Sequence, residues 1–167
     1  MKILQTIRSS RTLLVLLTPL LLGSLSVFSF APFNFTIINF FIFPALFLLL
    51  SDINKRSKNI YRKKPYLTNL FFAGYFFGFG FFLTGTYWIS NSLKFDETFQ
   101  SLIPLTIVAI PAFLGIFYGI SSIICGPFLK RNLGSVMLFI GAFSFIDYLR
   151  SKIFSGFPWN LWGYSWS

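Results

Sequence analysis

Residues 12–51 read TLLVLLTPLLLGSLSVFSFAPFNFTIINFFIFPALFLLLS, without one charged side chain. A membrane-spanning helix needs about 20 apolar residues, so this stretch is long enough for two spans. Residues 31–34, with the sequence APFN, form a tight break between them. We therefore predict helices over residues 12–29 and 36–50, with a kink at Pro19 in the first helix.

Three more apolar stretches follow. Residues 65–93 and 98–129 are uncharged and hold one span each, and residues 132–146 fit a fifth span. The basic segment from Asp52 to Lys64 is predicted to be a loop, and Pro104 and Pro111 are predicted to interrupt the fourth helix. The last three predicted helices cover residues 66–90, 102–125 and 133–149.

The composition indicates an all-α integral membrane protein with about five transmembrane helices. Hydrophobic residues make up 55% of the chain and charged residues 11%, with a mean hydropathy of +0.73. Soluble domains carry about 25% charged residues. Histidine is absent and Cys125 is the only cysteine, which excludes intrachain disulfides, His-based triads and most zinc sites. We expect no metal and no cofactor.

The net charge of +10 is a topology signal. The charges lie at the ends of apolar runs, so we expect no nucleic acid partner. With the amino terminus in the cytoplasm, eleven of the fourteen Lys and Arg residues fall inside, and Lys94, Arg150 and Lys152 fall outside. The positive-inside rule favours that orientation. Residues 29–31 imitate a signal cleavage site, but Pro32 and the second span predict a retained helix.

Aromatic residues dominate the end of the chain. Trp159, Trp162 and Trp166 follow the fifth span, and Trp88 ends the third, so all four tryptophans fall on the predicted outer face. An interfacial aromatic belt is the favoured interpretation. The alternative is a periplasmic-side surface that holds lipid or docks another domain.

Other side chains have structural interpretations. Small residues four apart let helices approach closely, so we predict packing roles for Gly74, Gly78, Gly115 and Gly119. Cys125 is predicted to pack as a small apolar residue. Asp147 and Arg150 lie three apart, on one face of the fifth helix. A structural ion pair that positions the aromatic segment and a substrate role are left open for them.

Four segments resemble the membrane portion of apolipoprotein N-acyltransferases. Residues 29–33 (SFAPF) are similar to the break after the first helix, and residues 78–89 (GFGFFLTGTYWI) to the glycine-rich third helix. Residues 147–150 (DYLR) resemble an acidic-x-x-Arg element in which the acid is usually Glu. Residues 156–165 (GFPWNLWGYS) resemble the most specific membrane signature, although Trp166 stands where the family often has Gln.

The resemblance implies an acyltransferase of the bacterial inner membrane in lipoprotein biosynthesis. Such an enzyme transfers an acyl chain from a phospholipid to the amino-terminal Cys of a diacylglyceryl lipoprotein, through a thioester. Its catalytic residues belong to a downstream periplasmic nitrilase-like domain, which we expect to be missing from this chain. No residue here is then catalytic and the fragment alone is expected to be inactive. The candidates for substrate or lipid contact are Trp88, Asp147, Arg150, Phe157, Pro158, Trp159 and Tyr164.

Three alternatives stay open. One is a non-catalytic module that binds lipid or a partner protein, and another is a related membrane acyltransferase. A small transporter is disfavoured because the spans carry almost no ionisable residues.

Overall fold

The computed structural model describes residues 13–59, 65–95, 97–153 and 160–166. Across these ranges the chain forms five α-helices and no strand, which confirms the all-α prediction. A π-helical turn, Leu13–Leu17, precedes the first helix. The helices are α1 (Thr18–Ser26), α2 (Asn39–Asn59), α3 (Pro65–Gly85), α4 (Ile103–Cys125) and α5 (Leu133–Lys152).

Four of the described helices are long and apolar enough to cross a membrane. The corresponding segments are Thr36–Lys55, Leu67–Gly85, Gln100–Phe128 and Leu133–Lys152, and Leu13–Ser29 is a shorter apolar helix. Large apolar side chains such as those of Leu105 and Met137 are exposed on the outside of the bundle. The chain is therefore a multi-pass membrane protein, and its predicted orientation stays a prediction.

Helix α3 is the centre of the bundle. It packs along α1 on one side and along α4 on the other, and α5 packs on α4. The side chains of Phe77, Phe81 and Phe82 on α3 are completely buried. Because the helices alternate in direction, the bundle has two ends. We call residues 27–38, 86–95, 97–102 and 160–166 the Trp162 end, and residues 52–59 and 126–132 the basic end.

The α3–α4 contact depends on glycines. A Cβ atom at Gly74 would collide with the Tyr118 carbonyl oxygen and the Ser122 hydroxyl, and one at Gly78 would lie 3.0 Å from the Gly115 Cα. Such backbone contact is what small residues at this spacing permit. At Gly119, a Cβ would meet the ring of Phe71.

The second helix is longer than predicted. It begins at Asn39, after a 3₁₀ turn over Thr36–Ile38, and continues to Asn59 instead of ending at Leu50. The predicted loop is thus helical at its start. The apolar pattern marks only the membrane-embedded part of a helix, whereas Lys and Arg are good helix formers that extend it into water.

The third and fourth predicted helices also need correction. Helix α3 ends at Gly85, and a 3₁₀ helix covers Tyr87–Phe95, so the prediction of a helix to residue 90 was wrong. Helix α4 runs without interruption from Ile103 through Pro111 to Cys125. Pro104 lies in the first turn, where no backbone N–H is needed. Buried Pro111 is accommodated within a packed membrane helix.

Candidate functional site

A crevice opens at the Trp162 end, between the start of α2 and the second half of α5. Its volume is about 770 Å³, within the ~300–1,000 Å³ of typical small-ligand sites. Phe139 and Phe143 form a buried apolar floor, and the exposed rings of Phe40, Tyr148 and Tyr164 lie at its rim. The gap is therefore an apolar slot that is accessible from outside the bundle.

Polar groups cluster at one end of the crevice. Asn39 is buried there, and its side-chain amide donates to the Ser165 hydroxyl at 3.3 Å. Among the described residues, the Asn39 side-chain carbonyl oxygen has no hydrogen-bond donor. Deeper in the bundle the rings of Phe47 and Phe139 contact each other, with centroids 5.7 Å apart. The crevice is thus polar toward the bundle end and apolar toward the bundle middle.

Asp147 and Arg150 form a buried ion pair beside this crevice. Arg150 Nη2 lies 2.8 Å from Asp147 Oδ1, and Arg150 Nε lies 3.1 Å from the same oxygen. Arg150 is only 2% exposed and Asp147 only 8% exposed. The guanidinium carbon also lies 5.0 Å from the centroid of the Phe82 ring. Tyr118 of α4, Phe82 of α3 and residues 160–166 lie against the pair.

The ion pair holds residues 160–166 in place. Arg150 Nη2 donates to the Asn160 carbonyl oxygen at 3.3 Å, and the Trp162 backbone N–H donates to Asp147 Oδ2 at 3.2 Å. Asn160 has a φ of 54°, in the left-handed region that Asn adopts more readily than most residues. At the other end, the Thr36 hydroxyl donates to the Ser165 carbonyl oxygen at 2.9 Å. The ion pair is thus hydrogen-bonded to the backbone of residues 160–166.

The Trp162 side chain is partly buried and packs against the core of the bundle. Its ring stacks on Phe81, with centroids 4.5 Å apart and planes 14° from parallel. Its indole N–H donates to the Tyr118 hydroxyl at 2.6 Å, and that hydroxyl lies 3.4 Å from Asp147 Oδ1. The side chain of Trp162 thus contacts the bundle core, and the interfacial belt stays a prediction. This tryptophan anchors the segment to α3 and α4.

Tyr118→Phe is expected to loosen this anchor. The indole N–H of Trp162 would lose its acceptor in a buried environment, which lowers the free energy of unfolding by about 1–3 kcal/mol. Unfolding of the detergent-solubilised chain, followed by tryptophan fluorescence, measures the change. Tyr148→Phe removes the same hydroxyl from an exposed ring and should stay within about 0.5 kcal/mol of the unmodified protein. Equal effects of the two substitutions would contradict the assigned role.

The predicted contact residues fall in different places. Asp147 and Tyr164 line the crevice, and Arg150 lies behind it as the partner of Asp147. Trp88 is half-exposed, outside the crevice, and its indole N–H donates to the Gly85 carbonyl oxygen at 3.1 Å. Phe157, Pro158 and Trp159 lie outside the described residues, as does the side chain of Trp166.

Several residues of the site were not predicted. Tyr118 and Asn39 lie in uniformly apolar stretches, and only their polarity set them apart. A buried polar side chain in a membrane helix requires a partner. This requirement was the signal that could have identified Tyr118 and Asn39. Phe82, beneath the Arg150 guanidinium, lies in the family-like stretch 78–89, but nothing there distinguished it from the other phenylalanines.

Comparison with protein families gives this arrangement a context. Residues 22–167 match the family model described as the apolipoprotein N-acyltransferase N-terminal domain. The chain belongs to the apolipoprotein N-acyltransferase family. The match includes helices α2 to α5, the crevice and residues 160–166, so the whole candidate site lies within the matched N-terminal domain.

Curated relatives support the same assignment. The chain is 33% identical over 150 residues to an apolipoprotein N-acyltransferase of Brucella melitensis biotype 1. The aligned region covers 89% of the chain and 28% of the relative. The identity is 33% over 149 residues with the enzyme of Rhizobium rhizogenes, at the same coverages. The identity with the N-acyltransferase of Rhizobium etli is 34% over 145 residues, which cover 85% of the chain and 26% of the relative. The chain thus spans just over a quarter of the length of these N-acyltransferases.

Proposed function

We propose that this chain is the membrane portion of a phospholipid:apolipoprotein N-acyltransferase of the bacterial inner membrane. The full protein would transfer an acyl chain from a phospholipid to the amino-terminal Cys of a diacylglyceryl lipoprotein. The bond chemistry, through a thioester, would belong to a nitrilase-like domain beyond Ser167. Cys125 is completely buried, which argues against its thiol as the nucleophile.

The crevice is the single observation that carries this proposal beyond the family name. An acyl chain requires an apolar slot, and its glycerol or amide linkage requires a polar group at one end. The crevice provides both, with Phe139 and Phe143 along its floor. At its polar end lies the Asn39 carbonyl oxygen, which has no hydrogen-bond donor among the described residues. That oxygen would accept a hydrogen bond from a hydroxyl or N–H of the lipid substrate.

The ion pair supports the crevice indirectly. Asp147 and Arg150 hold the backbone of residues 160–166 by two hydrogen bonds, and Leu161 to Tyr164 form one wall of the crevice. We therefore infer a positioning role for Asp147 and Arg150, and a lipid-contact role for Tyr164. Trp88 would remain a residue of the membrane surface, because its exposed ring lies outside the crevice.

Acylation by the complete protein tests the proposed function. The coding sequence would be read past the Ser167 codon and the whole reading frame expressed in membranes. Purified protein would be incubated with phospholipid vesicles and a diacylglyceryl lipopeptide, and the product would be weighed by mass spectrometry. We expect one added acyl chain on the peptide amino group, and none with residues 1–167 alone. No acylation by the complete protein would leave a non-catalytic lipid-binding module as the better account.

Filling the crevice should slow the same reaction. Ser144 is an exposed lining residue of α5. In the complete protein, Ser144→Trp is expected to lower the acylation rate by about tenfold or more, since the bulky ring would displace the acyl chain. Tyr164→Ala should have a smaller effect in the same direction, because it removes part of the rim and leaves the slot open.

The matched control for this experiment is Met137→Trp. Met137 lies on the same helix, is 60% exposed and is not among the crevice residues. It therefore places the same ring on the outside of the bundle. If both tryptophan substitutions slow acylation equally, or neither does, the crevice is not where the acyl chain lies.

A further inference from the structure

A second pocket lies at the basic end, opposite the crevice. Its volume is about 300 Å³. One wall belongs to the last turns of α2, and the other belongs to the turn that joins α4 to α5. The lining residues are Ser51, Asn54, Lys55, Leu129, Lys130 and Arg131.

The charge around this pocket is strongly positive. Within residues 51–59 and 126–132 the sequence contains five basic residues and one acidic residue, Asp52. Asp52 pairs with Arg131, whose Nη2 lies 2.9 Å from Asp52 Oδ1. Lys55 and Lys130 both line the pocket, and the lining residues include no carboxylate.

A buried hydroxyl points to a ligand. Ser51 is 5% exposed, and its side-chain oxygen has no hydrogen-bond partner among the described residues. A serine inside a helix usually donates to the carbonyl oxygen four residues earlier, and Ser51 does not do so here. A buried polar atom without a partner is costly, unless a bound group supplies the missing bond.

The pocket is built by hydrogen bonds that fix its second wall. The side-chain amide of Asn54 donates to the carbonyl oxygens of Pro127 and Leu129, at 3.1 and 3.0 Å. The Lys130 backbone N–H donates to the Ser135 hydroxyl at 2.9 Å. The turn is therefore held against α2 independently of its lysine side chains, and the two ammonium groups extend from an ordered backbone.

The position along the bundle matches that of lipid headgroups. The span of α2 ends at Lys55 and that of α4 at Phe128, so the pocket lies where the apolar part of both helices stops. Phosphate groups of membrane lipids lie at this level. Basic pockets between transmembrane helices are known sites for anionic headgroups.

We propose that this pocket binds a phosphate group, with Ser51 donating a hydrogen bond and Lys55 and Lys130 supplying positive charge. The source favoured by the position is the headgroup of an anionic membrane lipid. Such a site is separate from the acyl-chain crevice and does not depend on acyl transfer. It also differs from a topology signal, which requires only the number of basic residues near the membrane and neither a pocket nor a buried hydroxyl.

Lipid binding by the purified 167-residue chain tests the proposal. Dissociation constants would be measured in detergent for phosphatidylglycerol, for phosphatidylcholine and for inorganic phosphate. We expect tighter binding of phosphatidylglycerol than of phosphatidylcholine. The double variant Lys55→Gln/Lys130→Gln should weaken phosphatidylglycerol binding by about thirtyfold, and Ser51→Ala should weaken it by about tenfold.

Two controls separate the pocket from total charge and from helix packing. Lys94→Gln/Lys152→Gln removes two exposed lysines outside the pocket and should leave binding unchanged. Ser122→Ala removes another buried hydroxyl without a partner among the described residues, between α3 and α4, and should also leave it unchanged. Competition by millimolar inorganic phosphate would assign the site to phosphate itself, from any source. The proposal would be overturned if both lysine double variants weakened phosphatidylglycerol binding equally, or if the chain showed no preference for phosphatidylglycerol over phosphatidylcholine.

Discussion

Replacing Arg150 with methionine is expected to lower the free energy of unfolding by about 3–5 kcal/mol. The substitution leaves the Asp147 carboxylate buried without its cation. It also removes the hydrogen bond from Arg150 to the Asn160 carbonyl oxygen and the guanidinium group near the Phe82 ring. Residues 160–166 would lose this attachment to α5, so the segment should detach before the helices separate.

Unfolding of the detergent-solubilised chain with increasing SDS measures this effect. The matched control is Arg131→Met, which breaks the ion pair with Asp52 at the basic end. Arg131 is 59% exposed at its side chain, and exposed pairs contribute about 0–1 kcal/mol. Equal losses from the two arginine substitutions would show that burial of the Asp147–Arg150 pair has no energetic consequence.

A double variant separates the uncompensated charge from the lost hydrogen bonds. Asp147→Leu/Arg150→Met removes both charges and keeps the apolar volume. It should be more stable than Arg150→Met alone, because no buried carboxylate remains without a partner. The remaining loss would report the attachment of residues 160–166. Additive losses in the double variant would contradict the coupling.

Alanine at Gly23 or Gly74 is expected to force helices apart. A Cβ at Gly23 would collide with the Phe77 carbonyl oxygen and lie 2.9 Å from the Phe81 backbone nitrogen, and one at Gly74 would collide with the Tyr118 carbonyl oxygen. Because backbone atoms cannot rotate away, α1 or α4 must shift from α3. We expect a loss of about 1–3 kcal/mol at each site, measured by the same SDS titration.

Gly141→Ala is the control for helix propensity. A Cβ there would have no neighbour within 4 Å, so the substitution should raise helix stability by up to about 1 kcal/mol. The comparison separates close packing from backbone entropy. If alanine is tolerated at Gly23 and Gly74 as well as at Gly141, the contacts of α3 with α1 and α4 do not depend on these glycines.

The glycine pattern was partly predictable. Gly74 and Gly78 stand four apart, as do Gly115 and Gly119, and the structure places the first pair against α4. Gly23 has no such partner in the sequence. Its importance follows only from where α3 crosses α1, which depends on the shapes of both helices. A single small residue in an apolar run carries no signal of its own.

The candidate site was predicted in outline. The spacing of Asp147 and Arg150 indicated one helix face, and the aromatic segment after them was expected to lie at the same end. The sequence could not show that Tyr118 and Trp162 complete the network, because 44 positions separate them along the chain. Nor could it show the crevice, which is a space between α2 and α5.

The sequence by itself determined the class, the number and order of the helices, and the family. Apolar stretches of about 20 residues or more indicate membrane spans, and such spans are helical because unpaired backbone groups cannot remain in lipid. The tertiary structure decided where the helices end, which glycines meet backbone, and that the Asp147–Arg150 pair is buried against residues 160–166. Burial and crevices arise from side chains on separate helices. They depend on how the helices cross, and local hydrophobicity does not predict the crossing.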